Sequence, residues 1–275
     1  MTYKVGFIGG GNMASALIGG LLAKGWPTER LWVADPDLRT IERHQLQSIQ
    51  TTQSNSELVD AVDVVVLAVK PQVAAEVLKP LADQLHSCQP LILSVAAGIS
   101  TSLLKKWSSA ERVIRAMPNT PALVQCGASA YYAATGLDET SLAQGHEILS
   151  AVGLALPVER EDQIDAVTAL SGSGPAYFFF LMEAMQAAAL RLGLSEESAR
   201  ALTLQTASGA AKIAQSSDVH VTELRRRVTS PGGTTAAAIS VFEKAQLSRI
   251  VDEAMQAAYR RSQSLGNGNQ GDHRS

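Results

Sequence analysis

Two short glycine-bearing segments, one near each end of the chain, carry residue types suited to holding anions. Gly9-Gly10-Gly11-Asn12-Met13-Ala14 follows a β-branched and aromatic run at 4–8 and opens a stretch of helical spacing that reaches Ala23. Strand, glycines and helix occur in the order that G-x-G-x-x-A requires. Gly9 permits the tight turn, Gly11 lets the backbone approach a diphosphate, and Ala14 lets the helix pack close to a sheet. Free N–H groups and the positive end of the helix dipole then face the diphosphate. At the other end, Thr229-Ser230-Pro231-Gly232-Gly233-Thr234-Thr235 stops one helical segment, and its threonines are expected to cap the next, which begins at Ala236. The N–H groups of Gly232 and Gly233 at a helix start make a carboxylate site, with a plain interhelical loop as the competing reading.

Other candidates cluster at strand ends. Asp35 follows the apolar run Leu31-Trp32-Val33-Ala34, about 20 residues beyond the glycines, where an acidic side chain accepts from the 2′-hydroxyl of NAD. Arg39 stands four residues on. It reads either as a partner for a 2′-phosphate or as a solvated charge at a helix start, so the residues alone divide the cofactor choice. Ala68-Val69-Lys70-Pro71 closes another apolar strand, in the crevice beyond the carboxyl ends of the strands. Lys70 there reads as a solvated or phosphate-adjacent charge ahead of a catalytic acid. Ser94-Val95-Ala96-Ala97-Gly98 ends the next strand in small residues, leaving room for a nicotinamide ring, with simple turn chemistry as the alternative. Ser171-Gly172-Ser173-Gly174-Pro175-Ala176 interrupts a helical stretch. Pro175 suits the first turn of a restarted helix whose free N–H groups face a ligand or neighbour, a packing kink being equally consistent.

The elements that must position these residues follow from periodicity. Strands at 4–8, 31–34, 62–69 and 90–95 alternate with helical stretches at 14–23, 38–48 and 72–87, and further strands at 112–116 and 128–133 precede a helix at 139–152. Near-continuous apolar strands between helices predict a Rossmann-type, doubly wound parallel sheet covered on both faces. From 161 onward helices alone are expected, at 161–192, 196–216, 221–228, 234–245 and 247–264. The expected division is therefore 1–160 for a dinucleotide-binding domain, 161–265 for an all-α domain, and 266–275 for a disordered tail. Alanine-rich helices in so small a domain are expected to be covered by a second subunit, a compact monomeric bundle being the competing reading. Of the 275 residues 46% are hydrophobic and 18% charged, a globular composition, and the net charge of −3 argues against a nucleic-acid binder. No signal peptide or membrane-length apolar run is read. Cys88 and Cys126 lie in segments that read as buried, without metal-ligand spacing, so no metal and a reduced cytoplasmic setting are expected.

Gly9-Gly10-Gly11-Asn12-Met13, Ala68-Val69-Lys70-Pro71, Ser94-Val95-Ala96-Ala97-Gly98, Arg115-Ala116-Met117-Pro118-Asn119-Thr120-Pro121, Ser171-Gly172-Ser173-Gly174-Pro175-Ala176-Tyr177 and Ser230-Pro231-Gly232-Gly233-Thr234-Thr235 together resemble the pyrroline-5-carboxylate reductases. The likeness runs in order through nearly the whole chain. It implies reduction of 1-pyrroline-5-carboxylate to L-proline by hydride from a nicotinamide, and a homodimer formed through the helical domain, often within a larger ring. It assigns Thr235 the hydrogen bond to the ring nitrogen and gives the substrate carboxylate to Gly232, Gly233 and Thr234; Ser171 and Ser173 are further expected substrate-binding residues. Cofactor contacts carry over to Gly9, Gly11, Asn12, Met13, Asn55, Ala68, Val69, Lys70, Pro71, Ala96, Ala97 and Gly98, beside Asp35. NADPH is the expected first choice and NADH the alternative, because Ala34-Asp35 stands where the family often carries a hydroxyl or amide. A β-hydroxyacid-dehydrogenase-like enzyme shares this layout, but the lysine it needs after its second-domain glycines is missing from 171–181. A non-catalytic nicotinamide sensor would have no use for the Pro231-Gly232-Gly233-Thr234-Thr235 segment.

Overall fold

The structure, a computed structural model, describes residues 3–268. Its first part alternates strands and helices. β1 (Val5–Ile8), α1 (Asn12–Ala23), β2 (Leu31–Ala34), α2 (Leu38–Gln45), β3 (Gln50–Thr52), α3 (Asn55–Ala61) and β4 (Val64–Leu67) form one winding of the sheet. α4 (Ala74–Leu78), α5 (Ala82–Cys88), β5 (Leu91–Ser94), α6 (Thr101–Ser108) and β6 (Val113–Met117) continue on the far side of β4. β7 (Gly127–Ala133), α7 (Glu139–Ser150) and β8 (Gly153–Pro157) complete it. The strand order is β3-β2-β1-β4-β5-β6-β7-β8, so the winding reverses between β1 and β4, the switch point at which doubly wound sheets bind ligands.

Side chains of successive strand residues point to opposite faces, and the two faces carry separate cores. Val5, Phe7, Leu31, Val33, Val64, Val66, Leu91 and Leu93 meet Leu17, Ile18 and Leu21 of α1 and Ile148 and Leu149 of α7. Ile8, Val65, Leu67 and Ile92 meet Leu58, Leu78, Leu85 and Leu104 on the opposite face. Every pair of neighbouring strands is parallel except β6 and β7. The exception departs from the expected all-parallel sheet. Between Met117 and Gly127 the chain makes only the tight 3₁₀ turn Thr120–Val124, whereas a parallel return takes a crossover of roughly a dozen residues or more.

Four short elements lie outside the expected set: β3, α3 and α6 are largely polar, and β8 is apolar but only five residues long. The stretch expected as one helix at 72–87 is two, α4 and α5, joined by the 3₁₀ turn Lys79–Leu81. Pro80 lies in that turn, and a proline lacks the N–H that would continue a helix. Cys88 and Cys126 are exposed free thiols rather than buried ones, because each sits beside a left-handed turn residue, Gln89 and Gln125.

The chain divides into two compact units, Met1–Ser173 with the residues from Ala258 onward, and Gly174–Ala257. The expected division at 160 falls earlier. The reason is that α8 (Gln163–Val167) and the π-turn Thr168–Gly172 stay with the sheet, held by ion pairs from Arg115 to Glu161 (3.2 Å) and Asp165 (3.8 Å). The second unit is helical: α9 (Gly174–Arg191), α10 (Glu196–Gln215), α11 (Val221–Arg227), α12 (Thr234–Lys244) and the start of α13 (Leu247–Gly268). Much of its apolar surface is open, with Phe178 64% and Phe180 73% exposed. The end of α13 belongs to the first unit, where Ser262 donates to Asp165 at 2.6 Å. Residues 266–268 of the expected tail are therefore helical, and 269–275 lie outside the described residues. No helix among the described residues is long and apolar enough to cross a membrane.

Candidate functional site

Register builds the first half of the site. Ile8 pairs with Ala34 and Leu67, and Leu67 with Ser94, so the next residues, Gly9, Asp35, Ala68 and Val95, stand level along the carboxyl edge of the sheet. Val69, Lys70 and Pro71 extend from that edge, as do Ala96, Ala97 and Gly98. Asn55 opens α3 just past β3, whose Thr52 pairs with Ala34. The cofactor candidates named from sequence are thus gathered on one rim, apart from the anchoring core below.

At the switch point the backbone forms a cradle. Gly9 has φ +92°, and a side chain there would put its Cβ 2.8 Å from the carbonyl oxygen of Ala68, so only glycine fits between β1 and β4. Gly11 is exposed, with no atom within 4 Å of where a Cβ would stand. Gly11 is also the N-cap of α1, and α1 has neither a side-chain cap nor an acidic residue in its first turn. By contrast Asp37, Ser54, Ser100, Asp138 and Ser195 cap α2, α3, α6, α7 and α10 with their side chains. The N–H groups at the start of α1 therefore remain for an anion, and the open space above Gly11 admits a diphosphate. This turn fits a dinucleotide.

Asp35 is half-buried, and its carboxylate braces the turn. One oxygen accepts from the Gly10 N–H at 2.8 Å and the other from the Asp37 N–H at 2.9 Å. A carboxylate has about four acceptor positions, so ribose hydroxyls still find a place on it. Asp37 in turn caps α2 through the Thr40 N–H (3.1 Å) and hydroxyl (2.9 Å). The hydroxyl bond in particular holds its carboxyl below the usual range. Arg39 is exposed in the first turn of α2, next to that carboxylate. Lys70 is exposed at the rim, and Pro71 opens the 3₁₀ turn Pro71–Val73.

The second unit presents a helix start of the same kind. Gly232 adopts φ +70°, the Gly233 N–H donates to the Ser230 carbonyl at 3.0 Å, and Gly233 is the N-cap of α12. Here the structure corrects the sequence reading, because the threonines do not cap. Thr234 and Thr235 occupy the first two helical positions, α12 has no side-chain cap and no first-turn acid, and both threonines are exposed. A glycine cap supplies no oxygen, so the leading N–H groups stay unpaired and the Thr235 hydroxyl stays available. The Arg225–Glu243 pair at 3.7 Å joins α11 to α12 on either side of this loop.

Ser171 and Ser173 lie at the π-turn, a form that recurs at functional sites. The Ser171 hydroxyl donates to the Val167 carbonyl at 3.1 Å, and the Ser173 N–H closes the turn onto Thr168 at 2.8 Å. The helix restarts at Gly174 with Pro175 in its first turn. Three residues with no assigned role emerge. Asn119 donates to the Ser171 carbonyl at 3.0 Å and accepts from the Ala128 N–H at 2.9 Å, tying β6, β7 and the π-turn together. Its setting between Pro118 and Pro121 was the available signal. Arg43 and His44 both reach the carbonyl of Gly10, and no spacing rule points to them.

Comparison with known proteins accounts for both units. Residues 161–265 match a family model described as pyrroline-5-carboxylate reductase dimerisation, and residues 4–98 match one described as NADP oxidoreductase, coenzyme F420-dependent. A pyrroline-5-carboxylate reductase of Pseudomonas aeruginosa is 50% identical over 268 residues, covering 96% of this chain and 97% of that protein. Among solved structures, the pyrroline-5-carboxylate reductase of Coxiella burnetii superposes with a TM-score of 0.93 at 42% identity, covering 96% of this chain and 99% of that one. The Plasmodium falciparum pyrroline carboxylate reductase with NADP bound gives a TM-score of 0.84 at 32% identity, covering 96% and 98%.

Proposed function

The chain belongs to the pyrroline-5-carboxylate reductase family, and from that premise we propose that it reduces 1-pyrroline-5-carboxylate to L-proline with a hydride from NADPH, using the two glycine-led helix starts as its anion sites. One observation carries the placement: α1 and α12 both begin at a glycine, and both lack a side-chain cap and a first-turn acid. Each leaves backbone donors and a positive helix end for an anion, the cofactor diphosphate at Gly9, Gly11, Asn12 and Met13 and the substrate carboxylate at Gly232, Gly233 and Thr234.

When bound, the reduced nicotinamide supplies the hydride that adds to the imine carbon. The C=N π electrons then move to the ring nitrogen, which enters as the iminium carrying a proton taken from solvent and so ends as the neutral amine of proline. That nitrogen must be protonated or hydrogen-bonded for its carbon to be electrophilic, and the Thr235 hydroxyl meets it without competing for the hydride. Backbone N–H groups at 232–234 fix the carboxylate and so orient the ring. The small residues Ala96, Ala97 and Gly98 leave room at the sheet edge, with Lys70 and Pro71 beside them. Most of the rate then comes from positioning rather than from acid–base chemistry.

The apolar surface left open on 174–257, within the segment matched by the dimerisation model, supports a homodimer through the helical unit, with larger rings built from such dimers. Two exposed free thiols suit a reduced, cytoplasmic setting. Purified protein given 1-pyrroline-5-carboxylate and NADPH should yield stoichiometric proline and NADP⁺. Lack of turnover with both NADPH and NADH would sink the proposal.

The cofactor preference has its own test. Replacing Asp35 by serine removes the negative charge at the ribose edge, so the ratio of kcat/KM for NADPH over NADH should rise, by roughly 10-fold for one relieved like-charge contact. Both KM values should also increase, since Gly10 and Asp37 lose their acceptor. An unaltered ratio would mean that the carboxylate serves the turn alone.

A further inference from the structure

The backbone of Gly10 is held at both of its polar groups by charged side chains. Its N–H donates to Asp35, as described, and its carbonyl accepts from the Arg43 guanidinium, with His44 Nε2 3.0 Å away. Gly10 is a glycine because α2 packs this closely: a Cβ would lie 2.5 Å from Thr40 Cγ2 and 3.1 Å from His44 Nε2. That approach carries Arg43, in the second turn of α2, over the phosphate-binding turn. A carboxylate and a guanidinium therefore flank one residue, at the point where a cofactor's adenosine ribose meets Asp35.

The two groups differ in what they have left to offer. Asp35 is engaged by two amides. Arg43 is exposed and uses one of its five N–H donors on Gly10, and among the described residues its other donors have no protein partner. His44 is no substitute, being fully buried with its Nε2 at the same carbonyl. Arg39 stands a turn earlier, beside the carboxylate of Asp37, which already draws on its charge.

We propose that Arg43 is the residue that admits the 2′-phosphate of NADP(H), and that the preference for NADPH or NADH is the balance struck across Gly10 between Arg43, which attracts the phosphate, and Asp35, which repels it. A planar guanidinium fork matches phosphate oxygens, and such charge-assisted bonds are the strong ones. The proposal rests on the dinucleotide reading of the Gly9 turn.

The test is Arg43→Gln, with adenosine 2′,5′-bisphosphate and 5′-AMP as probes that carry no nicotinamide and reach no imine site. Calorimetric titration should show the affinity ratio of bisphosphate to 5′-AMP falling by about 10- to 100-fold, and Arg43→Lys should keep part of it. The ratio of NADP⁺ to NAD⁺ dissociation constants should rise correspondingly, as NADP⁺ alone loses its partner. If both probes weaken together and the ratio holds, Arg43 only props the turn and the proposal is overturned. If the wild-type protein binds neither probe nor either dinucleotide, the underlying reading fails and takes the proposal with it.

Discussion

Arg115→Ala should lower the thermal midpoint by about 6–12 °C. The arginine side chain is only 8% exposed and faces Glu161 and Asp165. Glu161 also accepts from the N–H and hydroxyl of Thr101, both at 2.7 Å, and Asp165 accepts from Ser262. One cation thus joins the start of α6, the entry to α8 and the end of α13 to β6. Removing it strands two carboxylates in a shielded place, which costs about 3 kcal/mol when a buried pair loses one member. At roughly 2–4 °C per kcal/mol for a chain of this size, the expected shift follows. Scanning calorimetry would check it, and a drop of less than about 2 °C would show that the network contributes little. What hurts is the stranded charge rather than the lost cation. Arg115→Met combined with Glu161→Gln and Asp165→Asn should accordingly recover more than half of the loss.

The second large effect is catalytic. Thr235→Ala should reduce kcat by about 10- to 1000-fold, the range covered by losing one hydrogen bond made to the reacting nitrogen. Dinucleotide affinity should persist, since the residues proposed to hold the cofactor lie in the other unit. Folding should not suffer either. Thr235 is exposed at the second position of α12, where alanine is the better helix former. Thr235→Ser, which keeps the hydroxyl, should restore most of the rate. Steady-state kinetics with a parallel cofactor titration would decide the matter. An unchanged rate in the alanine variant would leave Thr235 without its role.

These two variants probe different kinds of information. The role proposed for Thr235 comes from the likeness of a short motif whose residues are neighbours in the chain. The same holds for Gly9 and Gly11, because a tight turn between strand and helix is built from consecutive residues. The apolar strands β1, β2, β4 and β5 were legible for a related reason: a strand buried on both faces must be apolar along its whole length. β3 and β8 were not, since Gln50–Thr52 is polar and edge strands need bury only one face. The pairing of Arg115 with Glu161 and Asp165 could not be foreseen, and that pairing moves the unit boundary past the π-turn. Likewise Arg43 and His44 look like ordinary polar residues of an amphipathic helix until α2 is seen against Gly10.

The sequence by itself determined what depends on local geometry: where the chain turns on glycine, and which segments are apolar enough to be buried. Only the tertiary structure decided which side chains distant in sequence share a charge, which helix start is left uncapped, and which strand runs antiparallel. The physical reason is that backbone conformation and burial periodicity are set within a few neighbouring residues. Ion pairing and hydrogen-bond satisfaction depend on what the fold brings within about 3–4 Å, and no local pattern encodes that.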